Sequence, residues 1–284
     1  MEYFKSVKLV AEIGINHNGD LELAKSLVDE AVKADFDYVK FQKRNVELTT
    51  PKSRWNEMKD TPWGRISYLD YKRQLEFDQY EYDEIDNYCR KVGIKWFASP
   101  WDVDSVDFLT QYDIPYIKIA SACNTDKELL AWILQIVKTP IILSTGMSTW
   151  EQFKSVYELF NDQVEFILAC TSSYPTPDED MNLLQIETLY NQFGSECEVG
   201  FSNHNPGIFF AACSAALGAT MIEVHITKDR SMYGSDQATS IEPSGMKKLS
   251  KYVRSLEKAM GDGSWKVFES EQPCIKNLRW KDLI

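Results

Sequence analysis

The chain is poor in histidine, its cysteines are scattered, and it lacks a long apolar run. None of its 284 residues falls in an uninterrupted stretch of about 20 apolar side chains, the length a membrane-spanning helix needs, so no transmembrane segment is expected. Residues 1–16 turn apolar quickly but carry no small-residue cleavage site, and they read as a first strand rather than a leader. Positive charge is in deficit, with 31 Lys and Arg against 43 Asp and Glu and a net charge of −12. That balance argues against nucleic acid and anionic membrane as partners. It leaves anionic small molecules open, because a substrate responds to its pocket and not to the distant surface. The six cysteines (Cys89, Cys123, Cys170, Cys197, Cys213 and Cys274) show neither CxxC spacing nor a short disulfide framework, which fits a reducing cytoplasm. There is no low-complexity segment and no repeat of 20 to 50 residues beyond the alternation described next.

That alternation pairs short apolar runs rich in β-formers with helical runs. Strand candidates are 7–16, 37–44, 94–101, 116–122, 140–147, 164–171, 198–204 and 221–227. Helical candidates are 21–34, 80–93, 104–113, 126–138, 150–162, 182–194, 208–219 and 244–261. In the first and last of these helices, apolar residues recur three and four positions apart, an amphipathic signal. Strands alternating with helices predict a parallel sheet, and eight units favour closure into a (β/α)₈ TIM barrel over an open doubly wound sheet. Such a barrel needs about 250 residues, which nearly uses up the chain. The expected organisation is a single barrel domain over 1–263 and a C-terminal extension over 264–284 that packs on its outside. One connection, 45–79, is too long for a simple link and carries Trp55, Trp63, Tyr68 and Tyr71, so it is expected to form a lid, a rim or an oligomer contact.

Barrel enzymes carry their chemistry at the C-terminal ends of the strands. In chain order those ends bring Glu12; Lys40 and Gln42; Ser99; Lys118 and Ser121; Ser144; Ser172 and Tyr174; Ser202 and His204; and Glu223 and His225. A charged group inside a barrel is costly unless paired or ligated, so a polar group at the same end of every strand reads as a constellation. Of the three histidines, His204 and His225 end adjacent strands, where two imidazoles can reach one cation; Mn²⁺, Mg²⁺, Fe²⁺ and Zn²⁺ all suit such a pair. Two buried, hydrogen-bonded histidines are the alternative. His17 fits helix-entry packing as well as a pocket role. Lys40 and Lys118 are the lysines inside strand cores, where an anion or a Schiff base is the usual use. With Ser99, Ser121, Ser144 and Ser172 they look like a cradle for phosphate and carboxylate oxygens. Glu12 reads either as a paired carboxylate or as an acid/base. Asp236 lies in a loop expected to overhang the histidines.

Together the runs AEIGINHNGD, VKFQ, FASPWD, YIKIASA, PIILSTGMST, CTSSYPTPDEDMNL, GFSNH and EVHITKDRSMYGSDQATSIEP resemble the sialic acid synthase family, over residues 11–243. The resemblance implies condensation of phosphoenolpyruvate with an amino-sugar aldehyde, of the N-acetylmannosamine kind, to a nonulosonic acid for surface polysaccharide. It implies a metal, usually Mn²⁺, on His204 and His225. Phosphoenolpyruvate contacts fall on Lys40, Ser99, Lys118, Ser121, Ser144 and Ser172, and a catalytic carboxylate on Glu12. Gln42, Tyr174 and Asp236 face the sugar or the metal-bound water. The chain departs from the family where Cys123 replaces a frequent glutamate and Ser172 a frequent asparagine. The usual C-terminal antifreeze-like domain, which supplies an arginine to the partner subunit's sugar site, is not seen here, and Arg44 or a residue of the long loop is the expected substitute. Family barrels are usually dimers, so a homo-oligomer is expected. Two rival readings remain. A synthase of the deoxy-octulosonate or deoxy-heptulosonate type would need a basic cluster for a phosphorylated sugar, and few arginines stand at the strand ends. A non-catalytic sugar-binding member of the family would have little need for the lysine pair and the histidines together.

Overall fold

A computed structural model describes residues 6–281. Eight strands close into a parallel barrel in the circular order β1, β10, β9, β8, β7, β6, β5, β2. They are β1 (Lys8–Gly14), β2 (Tyr38–Lys43), β5 (Lys95–Pro100), β6 (Ile117–Ile119), β7 (Ile141–Ser144), β8 (Val164–Cys170), β9 (Glu198–Asn203) and β10 (Met221–His225). Each falls within one of the runs expected from the sequence. An antiparallel hairpin, β3 (Met58–Thr61) and β4 (Gly64–Ser67), stands apart from them.

The helices are α1 (Leu21–Lys33), α2 (Val46–Thr49), α3 (Tyr68–Leu75), α4 (Gln79–Val92), α5 (Val103–Leu109), α6 (Lys127–Ile136), α7 (Trp150–Phe160), α8 (Gln185–Phe193), α9 (Phe209–Ala216), α10 (Pro243–Ala259) and α11 (Gln272–Leu278). Their starts follow local chemistry. The Asp20 side chain accepts from two backbone N–H groups of α1, Asp78 and Glu81 cap α4 reciprocally, and Thr149 and Gln152 do the same for α7. Gly93 ends α4 in the left-handed conformation. The helices that follow the barrel strands turn apolar stripes onto the barrel: Ala24, Leu27, Val28 and Ala31 of α1 are buried, as are Met246, Leu249 and Val253 of α10.

One expectation gains detail and one needs correction. The 45–79 connection forms a rim, as expected, and it holds α2, a 3₁₀ turn, the β3–β4 hairpin and α3. The hairpin turns at Pro62-Trp63, and Ser67 caps α3. This insertion sits on the barrel rim through a small apolar cluster of Ile15, Tyr71 and Leu75, flanked by Ile66, Tyr68 and Tyr233. The extension from 264 does not pack onto the barrel over its described part. Residues 264–281 are exposed apart from the half-buried Ile275, and Trp265, Phe268, Leu278 and Trp280 stand in solvent.

Candidate active site

Alternation along the strands decides what the barrel mouth receives. Lys40 and Gln42 are two apart on β2, and Glu223 and His225 two apart on β10, so each pair shares a face. Parallel register then levels the groups: Glu12 pairs with both Lys40 and His225, Gln42 with Ser99, and Ser202 with both Glu223 and Cys170. The β1–β2 register slips between Glu12 and Gly14, a bulge at the rim of the kind that re-aims side chains beside sites.

These groups line one cavity of about 230 Å³ at the C-terminal mouth. Every site residue expected from the sequence is in its wall: Glu12, Lys40, Gln42, Ser99, Lys118, Ser121, Ser144, Ser172, Tyr174, His204, His225 and Asp236. His17 is not. It is buried beside the mouth, stacked on Phe77 at 3.9 Å, and its Nδ1 accepts from the Gly19 N–H.

The floor is an alternating chain of charge. Lys40 Nζ donates to Glu12 Oε2 at 2.7 Å, and Gln42 Nε2 donates to Glu12 Oε1 at 2.7 Å. Lys118 Nζ lies 3.2 and 3.1 Å from the two oxygens of Glu223. Lys40 Nζ is 3.8 Å from Glu223, and Ser202 Oγ donates to it at 3.0 Å. Burial favours the neutral form of each group, and the partners oppose it unequally. Burial raises the Glu12 pKa even against Lys40, and Glu223 adds to the rise. Burial also acts against ionised Glu223, but Lys118 and Lys40 outweigh it and hold this carboxyl well below the usual range. Lys118 is lowered by burial despite Glu223, whereas Lys40, beside two carboxylates, overcomes burial and is raised. Beside this chain the hydroxyls of Ser99 and Ser144 are buried with no hydrogen-bond partner.

Two residues beyond Glu223 on the same face of β10 stands His225; the His204 and His225 rings are 5.4 Å apart, with Tyr174 4.3 Å from the first and edge-on at 5.8 Å to the second. His204 Nδ1 lies 2.9 Å from the Thr171 carbonyl, which orients the ring and leaves Nε2 free. Burial lowers the His225 pKa to about 4, against the pull of Asp236, so its ring is neutral at pH 7. Its Nδ1 is buried without a hydrogen bond, 3.8 Å from Asp236 Oδ2. Among the described residues no group of three or more His, Cys, Asp or Glu side chains is arranged to hold a metal ion. His225 therefore offers a neutral ring with an unpartnered nitrogen, whereas at His204 burial is outweighed by Cys170 and the Thr171 carbonyl, which raise its pKa.

Sequence reasoning gave no role to Cys170, Trp101 or Lys72, all in the cavity wall, and none to Glu223, which organises the floor. Cys170 Sγ is 3.3 Å from Ser172 Oγ and 3.7 Å from His204 Nδ1. Trp101 follows Ser99 by two residues, and that spacing on a strand end could have flagged it. Lys72 sits on α3 of the insertion, and no strand pattern points to it.

The geometry has counterparts in known proteins. A family model described as the NeuB family matches residues 27–265. The chain is 35% identical to the N,N'-diacetyllegionaminic acid synthase of Campylobacter jejuni, covering 97% of this chain and 84% of that one. It is 34% identical to the human N-acetylneuraminate-9-phosphate synthase, covering 95% and 76%. It superposes on the crystal structure of an N-acetylneuraminic acid synthetase from Leptospira borgpetersenii, in complex with citrate, with a TM-score of 0.84 and 30% identity, covering 98% and 94%.

Proposed function

The chain belongs to the NeuB family and is a synthase of the sialic acid type; on that premise we propose that it condenses phosphoenolpyruvate with the open-chain aldehyde of an amino sugar, releasing phosphate and a nonulosonic acid. The observation that carries this reading is the pairing of orphaned hydroxyls with buried ammonium groups. Ser99 and Ser144 have no partner beside Lys40 and Lys118. Buried polar groups are nearly always satisfied, so unsatisfied donors in a cavity wall are places for ligand oxygens. The carboxylate and phosphate of phosphoenolpyruvate supply such oxygens, and charge-assisted bonds from two lysines suit them.

C3 of the enolpyruvate unit forms a bond to the aldehyde carbon, and the aldehyde oxygen becomes a hydroxyl. Positive charge grows at C2. Water adds there and loses a proton, the bond from C2 to the phosphate oxygen breaks, and a 2-keto acid remains. Glu12, raised by burial and fixed by Lys40 and Gln42, is suited to face the developing charge and to take the water's proton. Lys40 and Lys118 hold the anion in line, and such positioning is a large part of any rate gain. Gln42, Tyr174 and Asp236 face the acceptor.

We assign a divalent cation, Mn²⁺ by first expectation, to His204 and His225. The residues fit it, because His225 offers an orphaned neutral nitrogen and His204 is oriented by Thr171. When bound there, such a cation supplies Lewis-acid polarisation of a carbonyl oxygen. We further infer a reducing, cytoplasmic setting, which the six free cysteines support.

Phosphate release from phosphoenolpyruvate, measured with Mn²⁺ and a panel of N-acetylated hexosamines, tests the reading. Release that depends on the acceptor and stops on chelation is expected. His225→Ala is expected to lose both Mn²⁺ binding and turnover while its circular dichroism is kept. Full activity of His225→Ala in metal-free buffer would remove the metal from the account, and silence across the panel would remove the condensation.

A further inference from the structure

The cavity has a second cationic region, at its mouth, which phosphoenolpyruvate bound on the floor would leave unused. Arg44 follows β2, and its guanidinium lies 4.4 Å over the Trp101 ring. It donates to Gln42, while its Nε is buried without a hydrogen bond, 4.0 Å from Glu76. That carboxylate is already taken by Lys43 at 2.8 Å. The Trp101 indole N–H is likewise buried and unpartnered.

Lys72 reaches the same wall from α3. Its neighbours in the insertion find carboxylates: Arg54 pairs with Glu57, and Arg73 pairs with Glu47 and Asp70. Among the described residues Lys72 has no ion pair, only the Tyr68 ring at 5.5 Å. Burial, and then Arg44, lower its pKa to about 8. Asp236 pulls the other way, and Lys59 and Arg54 add to the lowering. In a chain of net charge −12, two adjacent cations and an indole N–H, all donors and all short of an acceptor, are an arrangement that costs free energy until an anion fills it.

We propose that Arg44, Lys72 and Trp101 form an anion subsite, and that the acceptor sugar carries a phosphate or carboxylate at the end remote from its aldehyde. The proposal rests on the condensation reading. It supplies the basic cluster that the strand ends alone did not offer, because half of it comes from the insertion.

The test compares N-acetylmannosamine, its 6-phosphate and its 6-carboxylate as acceptors, with wild type, Lys72→Gln and Lys72→Arg. A kcat/KM for one charged acceptor at least tenfold above the neutral one is expected, and the better of the two names the anion. Lys72→Gln should collapse that ratio about tenfold, by raising the KM of the charged acceptor more than that of phosphoenolpyruvate, and Lys72→Arg should restore it. Equal use of neutral and charged acceptors overturns the proposal. So does a Lys72→Gln defect that falls on the phosphoenolpyruvate KM and on all acceptors alike. Calorimetric titration with the 6-phosphate keeps the two readings apart. Binding that weakens tenfold in Lys72→Gln, without phosphate release, keeps the subsite and sinks the condensation. Phosphate release with the neutral sugar alone does the reverse.

Discussion

Lys118 and Lys40 share Glu223, and the sharing explains how two ammonium groups can stand buried on one barrel floor. Without that carboxylate Lys118 would face its own desolvation and the charge of Lys40, while Lys40 would keep Glu12 alone. Removing one partner of a buried ion pair typically costs about 3–5 kcal/mol. Glu223→Ala is therefore expected to lower stability by about 3 kcal/mol or more, read as a fall in the urea midpoint with an unchanged slope. An unchanged midpoint would mean that the chain of charge on the floor is not structural. The sequence showed this residue at a strand end but not its work, since only the closed barrel brings β10 within reach of β6 and β2. The place of Glu12, Lys40, Lys118, His204 and His225 at the mouth was legible for a simpler reason, whereas Gln42, Tyr174 and Asp236 were given roles by the family resemblance. A lysine, glutamate or histidine in an apolar strand has few uses other than a site, and parallel register carries all such groups to one level. Lys72 was illegible because its helix has no strand to give it direction. Its place in the cavity comes wholly from how α3 docks.

The docking of α3 depends on one backbone position. Gly19, in the turn between β1 and α1, has φ +73°, and a Cβ there would lie 1.9 Å from the Gln74 carbonyl oxygen of α3. Any side chain would meet the strain of the left-handed region and drive the helix off the rim. Gly19→Ala is expected to speed amide hydrogen exchange across residues 68–75 while the barrel strands keep their protection. Unaltered exchange in α3 would show that the insertion is held in some other way. The same element marks the limit of pattern reading. The eight barrel strands and their helices announce themselves by periodicity, because each has an apolar face. The strands of the β3–β4 hairpin are four residues long and largely polar. What holds the insertion is non-local, as in the packing of Tyr71 on Tyr233 and the bond from the Tyr233 hydroxyl to the Asp60 carbonyl. No local pattern encodes such contacts. The tail from 264 misled for a related reason, since a stretch with a proline and little periodicity carries no local signal for where, or whether, it packs.

At the scale of the whole molecule, an acidic protein keeps a local excess of donors at one end of a closed barrel. Charge at the surface and charge in the cavity are decoupled by depth. The floor lysines and orphaned serines await one anion, and on our reading the mouth awaits another, carried by the acceptor. The insertion joins the two functions by bringing Lys72 over a barrel whose own strands supply the rest. The central claim is that water adds to C2 of an enolpyruvate unit held on this floor and that phosphate departs with its bridging oxygen. Phosphoenolpyruvate labelled with ¹⁸O at that bridging position tests it most directly, with an acceptor the enzyme turns over and mass analysis of both products. The account predicts that the label leaves entirely in the phosphate and that the C2 oxygen of the nine-carbon acid comes from solvent. Label retained in the acid would place bond breaking at phosphorus and contradict the role given to Glu12 and the floor.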